Sequence, residues 1–245
     1  FLHADVMLAP HTAEDMLDAL IGDGALGAVT AVAARVYERA QLIPETNYDS
    51  WESFVSAAEE IRACGKGPHP EILAELFALM VRRDAAEATG FLDEQYQVPA
   101  LAAYDYTVRM TRAGYGIASL PSAYVHHVED SHEEDREDCD RQRKKERELF
   151  HENWGVSLNY SFQIRTDLFP LMDLSREGLR VLEIGCACGA TLRAIGMLNP
   201  TAKLYGVELN ENAAAVAAPF AEILSMDVEH LDPAKIPARF DYIIM

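Results

Sequence analysis

Two constellations in this chain bring together residue types that do chemistry. The first is the run Arg180-Val181-Leu182-Glu183-Ile184-Gly185-Cys186-Ala187-Cys188-Gly189-Ala190-Thr191-Leu192. An apolar strand meets a glycine-bearing turn and then a helix, which lets a ligand approach the backbone and sets a positive helix end beside it. A second strand, Lys203 to Glu208, ends in an acid roughly 20 residues after the turn. A carboxylate at that place can accept two hydrogen bonds from a ribose diol; the lesser alternative, read alone, is an exposed loop acid. A third strand, Ile223 to Met226, is closed by Asp227, a second ligand contact or the cap of the next helix. Cys186 and Cys188 have one residue between them, not the two of a redox or zinc pair, and beside a glycine turn they read as small space-fillers.

The second constellation is sparser. Asp5, at the mouth of the apolar run that opens the chain, offers carboxylate oxygen to a divalent cation. His126-His127, after the extended segment Ala123-Tyr124-Val125, offers an imidazole as a second ligand. The bland alternatives are a turn aspartate and surface histidines. Tyr48, Trp51 and Phe54 would stack on a sugar, or pack an amphipathic helix on the core.

The elements that must position these residues alternate between strand and helix, so the chain is α/β. Strands are expected at the opening run to Leu8, at Gly27–Val32 and over Leu76–Val81, with extended segments Gly116–Leu120 and Ala123–Val125 around Pro121. Thr12 is the expected N-cap of a helix to Gly22, and further helices are expected around Trp51–Ile61, before Gly90 and over about 103–113. Residues 129–148 are almost wholly charged, acids first and bases second, which suits the dipole of a solvated connecting helix. The final run, Asp241 to Met245, reads as a buried parallel strand. Strand-like runs at both ends lead to the expectation of an internal fragment.

Composition bounds the partners. With 21 Lys and Arg against 40 Asp and Glu the net charge is -19, a surface that repels phosphate backbones and anionic lipid, so no nucleic-acid partner is expected. Four cysteines are too few for a disulfide scaffold of 245 residues, and a reducing, cytoplasmic setting is the expectation. No apolar run nears the ~20 residues of a membrane span, which leaves only peripheral membrane association open.

The motifs of the later part, Val181 to Gly189, Gly206-Val207-Glu208-Leu209-Asn210, Asp227 and Phe240-Asp241-Tyr242-Ile243-Ile244, resemble in order those of class I S-adenosylmethionine-dependent methyltransferases, over about residues 158–245. The resemblance implies that Glu183, Gly185, Cys186 and Gly189 lie against the methionine moiety of S-adenosylmethionine. It also implies that Glu208, with Leu209 beside it, holds the ribose hydroxyls and that Asp227 contacts the adenine amine. Ala187 stands where the family has its middle glycine.

The earlier part resembles the C-terminal half of a family-2 glycosyltransferase of the GT-A fold, over about residues 1–155. The quoted stretches are Phe1 to Val6, Leu79 to Asp84, Gly90 to Glu94, Asp105 to Tyr115, Tyr124 to His127 and Phe150 to Gly155. The resemblance implies a divalent cation (Mn or Mg) held by Asp5 and His126, with His3 in place of the first aspartate of the family's Asp-x-Asp motif, and a nucleotide-sugar donor. Where the family carries Glu-Asp, its acceptor-deprotonating pair, this chain has Ala102 and Ala103, so Asp105 is the expected catalytic carboxylate, with Asp93 and Glu94 as substitutes. Asp105 also reads as a first-turn helix acid.

The expected architecture is therefore a partial GT-A glycosyltransferase domain, 1–155, followed by a truncated Rossmann-like methyltransferase sheet, 156–245. Its expected function is that of a bifunctional fragment acting on a bacterial surface glycan as acceptor. The alternative is a catalytically inactive glycan- or partner-binding module joined to a methyltransferase.

Overall fold

The computed structural model describes residues 1–34, 48–65, 67–128, 136–232, 235–236 and 239–245. They fall into two compact units, Phe1–Glu146 and Arg147–Met245.

In the first unit the strands are β1 (Val6–Leu8), β2 (Leu26–Val32), β3 (His69–Glu71), β4 (Leu79–Val81) and β5 (Gly116–His127). The helices are α1 (Thr12–Gly22), α2 (Trp51–Ala63), α3 (Arg83–Thr89) and α4 (Pro99–Arg112). The sheet order is β1-β5-β2-β4, with β3 also on β5. β2 runs parallel to β5, and the other pairings are antiparallel. All seven residues of β2 are buried, because it has strand neighbours on both edges and cover on both faces.

Several sequence expectations shift. The two extended segments around Pro121 are one strand; Pro121 lies where the β2–β5 register jumps from Thr30↔Ser119 to Val32↔Tyr124, since proline brings no N–H to the ladder. α4 starts at Pro99, a full turn earlier than expected, with the proline at its first position, where an N–H is dispensable. Thr12 is not the cap of α1: His11 holds that place in the left-handed region (φ 68°), and the Thr12 hydroxyl donates to the Tyr124 carbonyl oxygen at 3.1 Å. α1 then buries Thr12, Met16 and Leu20, one per turn on a single face. α2 opens on a reciprocal cap between Ser50 and Ser53, and Phe54 and Ala58 pack with Tyr124 and Val32 while Tyr48 lies against them.

The charged segment forms α5 (Arg136–Trp154), longer than expected at its C-terminal end, and residues 129–135 lie outside the described set. The boundary between the two units falls inside this helix. On the first unit's side Glu146, 2% exposed, accepts the N–H groups of Gln97 and Val98 at 3.0 and 2.9 Å just ahead of α4.

The second unit carries β6 (Arg180–Ile184), α6 (Ala190–Leu198), β7 (Lys203–Glu208), α7 (Glu211–Ala217), β8 (Glu222–Ser225) and β9 (Tyr242–Ile244). The sheet order is β8-β7-β6-β9 and every pairing is parallel. The chain steps outward from β6 to β8 and returns to the far side of β6 with β9. Strand order therefore reverses between β6 and β9, where open parallel sheets leave a crevice at their carboxyl ends. The core packs Leu179, Val181, Leu192, Ile195, Leu204 and Ile244 around the sheet, while Ile243 of β9 points outward.

Candidate functional site

The turn after β6 is built at that crevice. Gly185 (φ 73°), Ala187 (φ 48°) and Gly189 (φ 73°) all lie in the left-handed region, where a side chain is strained. A Cβ on Gly189 would come within 2.8 Å of the Ala217 methyl, so α6 and α7 close in only because that position is bare. A Cβ on Gly185 would meet nothing within 4 Å; the space above it is open. The N–H groups of Gly185 and Cys186 donate to Val207 O at 2.8 and 3.3 Å, and that of Cys188 to Ser161 O at 3.1 Å.

Glu208 completes the turn. Its carboxylate accepts the Ala187 N–H at 2.7 Å through Oε2 and the Asn210 N–H at 2.8 Å through Oε1. The acid at the end of β7 and the turn after β6 thus form one structure, and that bond holds the strained Ala187 in place. Leu209 beside it is 69% exposed and presents an apolar surface at the same edge. Asp227 follows β8 at the corresponding end and accepts the Glu229 N–H at 2.9 Å, so it caps the short turn Val228–His230. The capping alternative for Asp227 is therefore what its geometry displays.

Glu183 sits one residue before the end of β6, 7% exposed, with Oε2 buried and without a hydrogen-bond partner. Burial pushes its carboxyl from 4.5 up to about 7; Thr191 and Arg165 pull the other way and Glu208 adds to the rise. Burial also pushes the Cys186 thiol up to about 12, helped by Glu183 and Glu208, and raises that of Cys188. Both are protonated near neutrality, so neither is a nucleophile; they fill space under the turn. None of the four cysteines forms a disulfide.

In the first unit the expected pairing of Asp5 with His126 is corrected. Asp5 lies in the turn before β1, not after a strand, and its neighbours are His127 (Nε2 to Oδ2 3.3 Å) and His3 (Nδ1 to Oδ1 4.0 Å). Successive strand residues face opposite sides, and His126 faces away, its Nδ1 bonded to the Tyr48 hydroxyl and its ring against Phe54. Strand parity in the pair His126-His127 was the available signal. Asp105 is corrected as well. It is 5% exposed within α4 and engaged by Arg109 at 2.9 Å (Nε) and 2.8 Å (Nη2), while Arg109 also donates to Thr89 O. Asp105 thus faces Arg109 and the interior of the unit. Phe54 is buried, as the core reading required, whereas Trp51 is half exposed.

No family model matches the chain. A segment is 32% identical over 65 residues to an uncharacterised phycocyanin operon protein W of Pseudanabaena tenuis, covering 26% of this chain and 58% of that protein. Solved structures with local likeness include the plantazolicin methyltransferase BpumL in complex with SAH (25% identity, 32% of this chain and 30% of that one, TM-score 0.26). Two others are StiE O-MT residues 942-1257 (25% identity, 41% and 36%, TM-score 0.29) and EvdMO1 (22% identity, 48% and 30%, TM-score 0.30). The chain spans less than two thirds of each of these proteins, and at such TM-scores the likeness carries no weight for the fold. Among the described residues no helix is long and apolar enough to cross a membrane.

Proposed function

We propose that residues 147–245 form the donor-binding part of an S-adenosylmethionine-dependent methyltransferase. The observation that carries this reading is the 2.7 Å bond from the Ala187 N–H to the Glu208 carboxylate, at the carboxyl ends of parallel strands beside the reversal of strand order. In this reading Glu208 turns its oxygens to the ribose hydroxyls, Leu209 flanks the adenine, and the open space at Gly185 receives the methionine moiety. Glu183, Cys186 and Gly189 shape the floor, and Asp227 lies at the adenine end. Transfer is a displacement at the sulfonium carbon, driven chiefly by holding donor and acceptor in line. No residue of this chain is assigned as a base.

Calorimetric titration with S-adenosylmethionine and with the demethylated product tests this. Saturable one-to-one binding is expected, weakened about 10- to 100-fold in Glu208→Gln, which keeps a carbonyl oxygen for the Ala187 N–H but loses the charge. No saturable binding, or full affinity in Glu208→Gln, overturns it.

For residues 1–146 we infer the binding-module alternative: a unit that holds a nucleotide-sugar or glycan without transferring sugar. The engagement of Asp105 by Arg109 favours it, together with alanine at 102 and 103. Sugar transfer from a nucleotide-sugar, abolished by Asp105→Asn, would reverse this reading.

A further inference from the structure

We propose that Arg165 anchors the carboxylate of the donor's amino-acid end, and that Asp167 holds its guanidinium while that place is empty. The proposal rests on the donor-site reading above, but neither residue belongs to the motifs that carry the sequence resemblance.

The segment before β6 is pinned to the glycine turn and to α6. The Cys188 N–H donates to Ser161 O at 3.1 Å, and the Arg165 N–H donates to the Thr191 hydroxyl at 3.2 Å. Thr191 is buried in the first turn of α6, directly after Gly189 and Ala190. The Arg165 carbonyl accepts the Leu168 N–H at 3.1 Å, so the backbone of this residue is held on both sides. Its side chain is nearly half exposed and can turn on that fixed base.

The guanidinium meets Asp167 in a fork, Nε to Oδ1 at 3.0 Å and Nη2 to Oδ2 at 3.1 Å. A planar guanidinium recognises any carboxylate through this two-bond geometry, so Asp167 occupies the place that a ligand carboxylate would take. Both partners are well exposed, and a solvated pair of this kind is weak enough to exchange.

An independent observation points to a ligand that carries both charges. Glu183 Oε2 is buried and has no donor, and the positive charge acting on Glu183 is that of Arg165. Thr191 also bonds to the Glu183 carboxyl, so one threonine ties the base of the arginine to the acid. An α-ammonium supplies the donor that Glu183 lacks, and an α-carboxylate supplies the second fork for Arg165. A ligand end without the carboxylate satisfies only the acid. The net charge of -19 by itself favours the more cationic, decarboxylated ligand, so a preference for the carboxylate requires a local cation.

The test is calorimetric titration of the 245-residue chain with S-adenosylmethionine and with its decarboxylated form, which keeps the ammonium and the sulfonium. The parent should prefer S-adenosylmethionine by about 10- to 100-fold, as expected of a charge-assisted, two-bond contact. Arg165→Gln should bring that preference within about threefold. Arg165→Lys, a point charge without the fork, should fall between the two. Asp167→Asn removes the competing acid; it should tighten S-adenosylmethionine about two- to fivefold and leave the decarboxylated form within about twofold. Circular dichroism confirms that each variant is folded. A parent without preference, a preference kept in folded Arg165→Gln, or weaker S-adenosylmethionine binding in Asp167→Asn would each overturn the assignment and leave the donor site standing. No saturable binding of either form would overturn the donor-site reading and this assignment together.

Discussion

A carboxyl group inside a sheet should leave its mark on stability as pH changes, and Glu183 is the place to look. Its folded-state value of about 7 lies above the ordinary 4.5, so the folded unit holds that proton more tightly than the unfolded chain does. The stabilisation is complete below pH 4.5, declines as pH rises through 7, and levels off above it. Ionising the group in place costs on the order of 3 kcal/mol, and with Glu183 only 7% exposed little solvent screening reduces the penalty. Glu183→Gln preserves shape and removes the ionisation. Hydrogen exchange of peptides covering residues 179–209 reads this unit without interference from the other. At pH 5 parent and variant should protect these amides alike. At pH 8 the variant should be better protected by roughly 100-fold, because each 1.4 kcal/mol is about a factor of ten. Comparison at equal pH cancels intrinsic exchange and the titration of every other group. Parallel protection of the two proteins from pH 5 to pH 8 would refute the claim that burial raises this carboxyl.

Two further substitutions probe the framework. Gly189→Ala places a methyl 2.8 Å from that of Ala217 on a backbone at φ 73°; it should destabilise the second unit by about 2–4 kcal/mol in denaturant melts, and a loss below about 1 kcal/mol would show that α6 and α7 can part there. Glu146→Ala strands the Gln97 and Val98 N–H groups and should cost the first unit about 2–4 kcal/mol, seen as faster exchange at the start of α4.

What the sequence disclosed follows from which interactions are local. The turn at Gly185–Gly189 and the acid at Glu208 were legible because the glycine positions, the strand lengths and the parallel pairing all follow from short-range patterns. The alternation of strands and helices was legible for the same reason. What escaped was decided by contacts between distant segments. Nothing in the run Gly116–His127 announces that Pro121 sits inside a single strand, because β1, β2 and β3 supply the neighbours that keep it extended on both sides. The exchange of His126 for His127 depends on which face of β5 meets the Asp5 turn, and Tyr48 settles it by taking the other imidazole. Asp105 looked available because nothing local announces that α4 is buried around it; in the fold it is 5% exposed and faces Arg109.

The position of β5 in the chain sets a schedule for biosynthesis. β1 has its partner at Val125–His127, roughly 120 residues downstream, and β2 also waits for Gly116 onward. At about 5–20 residues per second the ribosome leaves these apolar edges unmatched for some 6 to 24 seconds. The first unit therefore closes late, whereas in the second β6, β7 and β8 pair with near neighbours and β9 returns to β6 after about 60 residues.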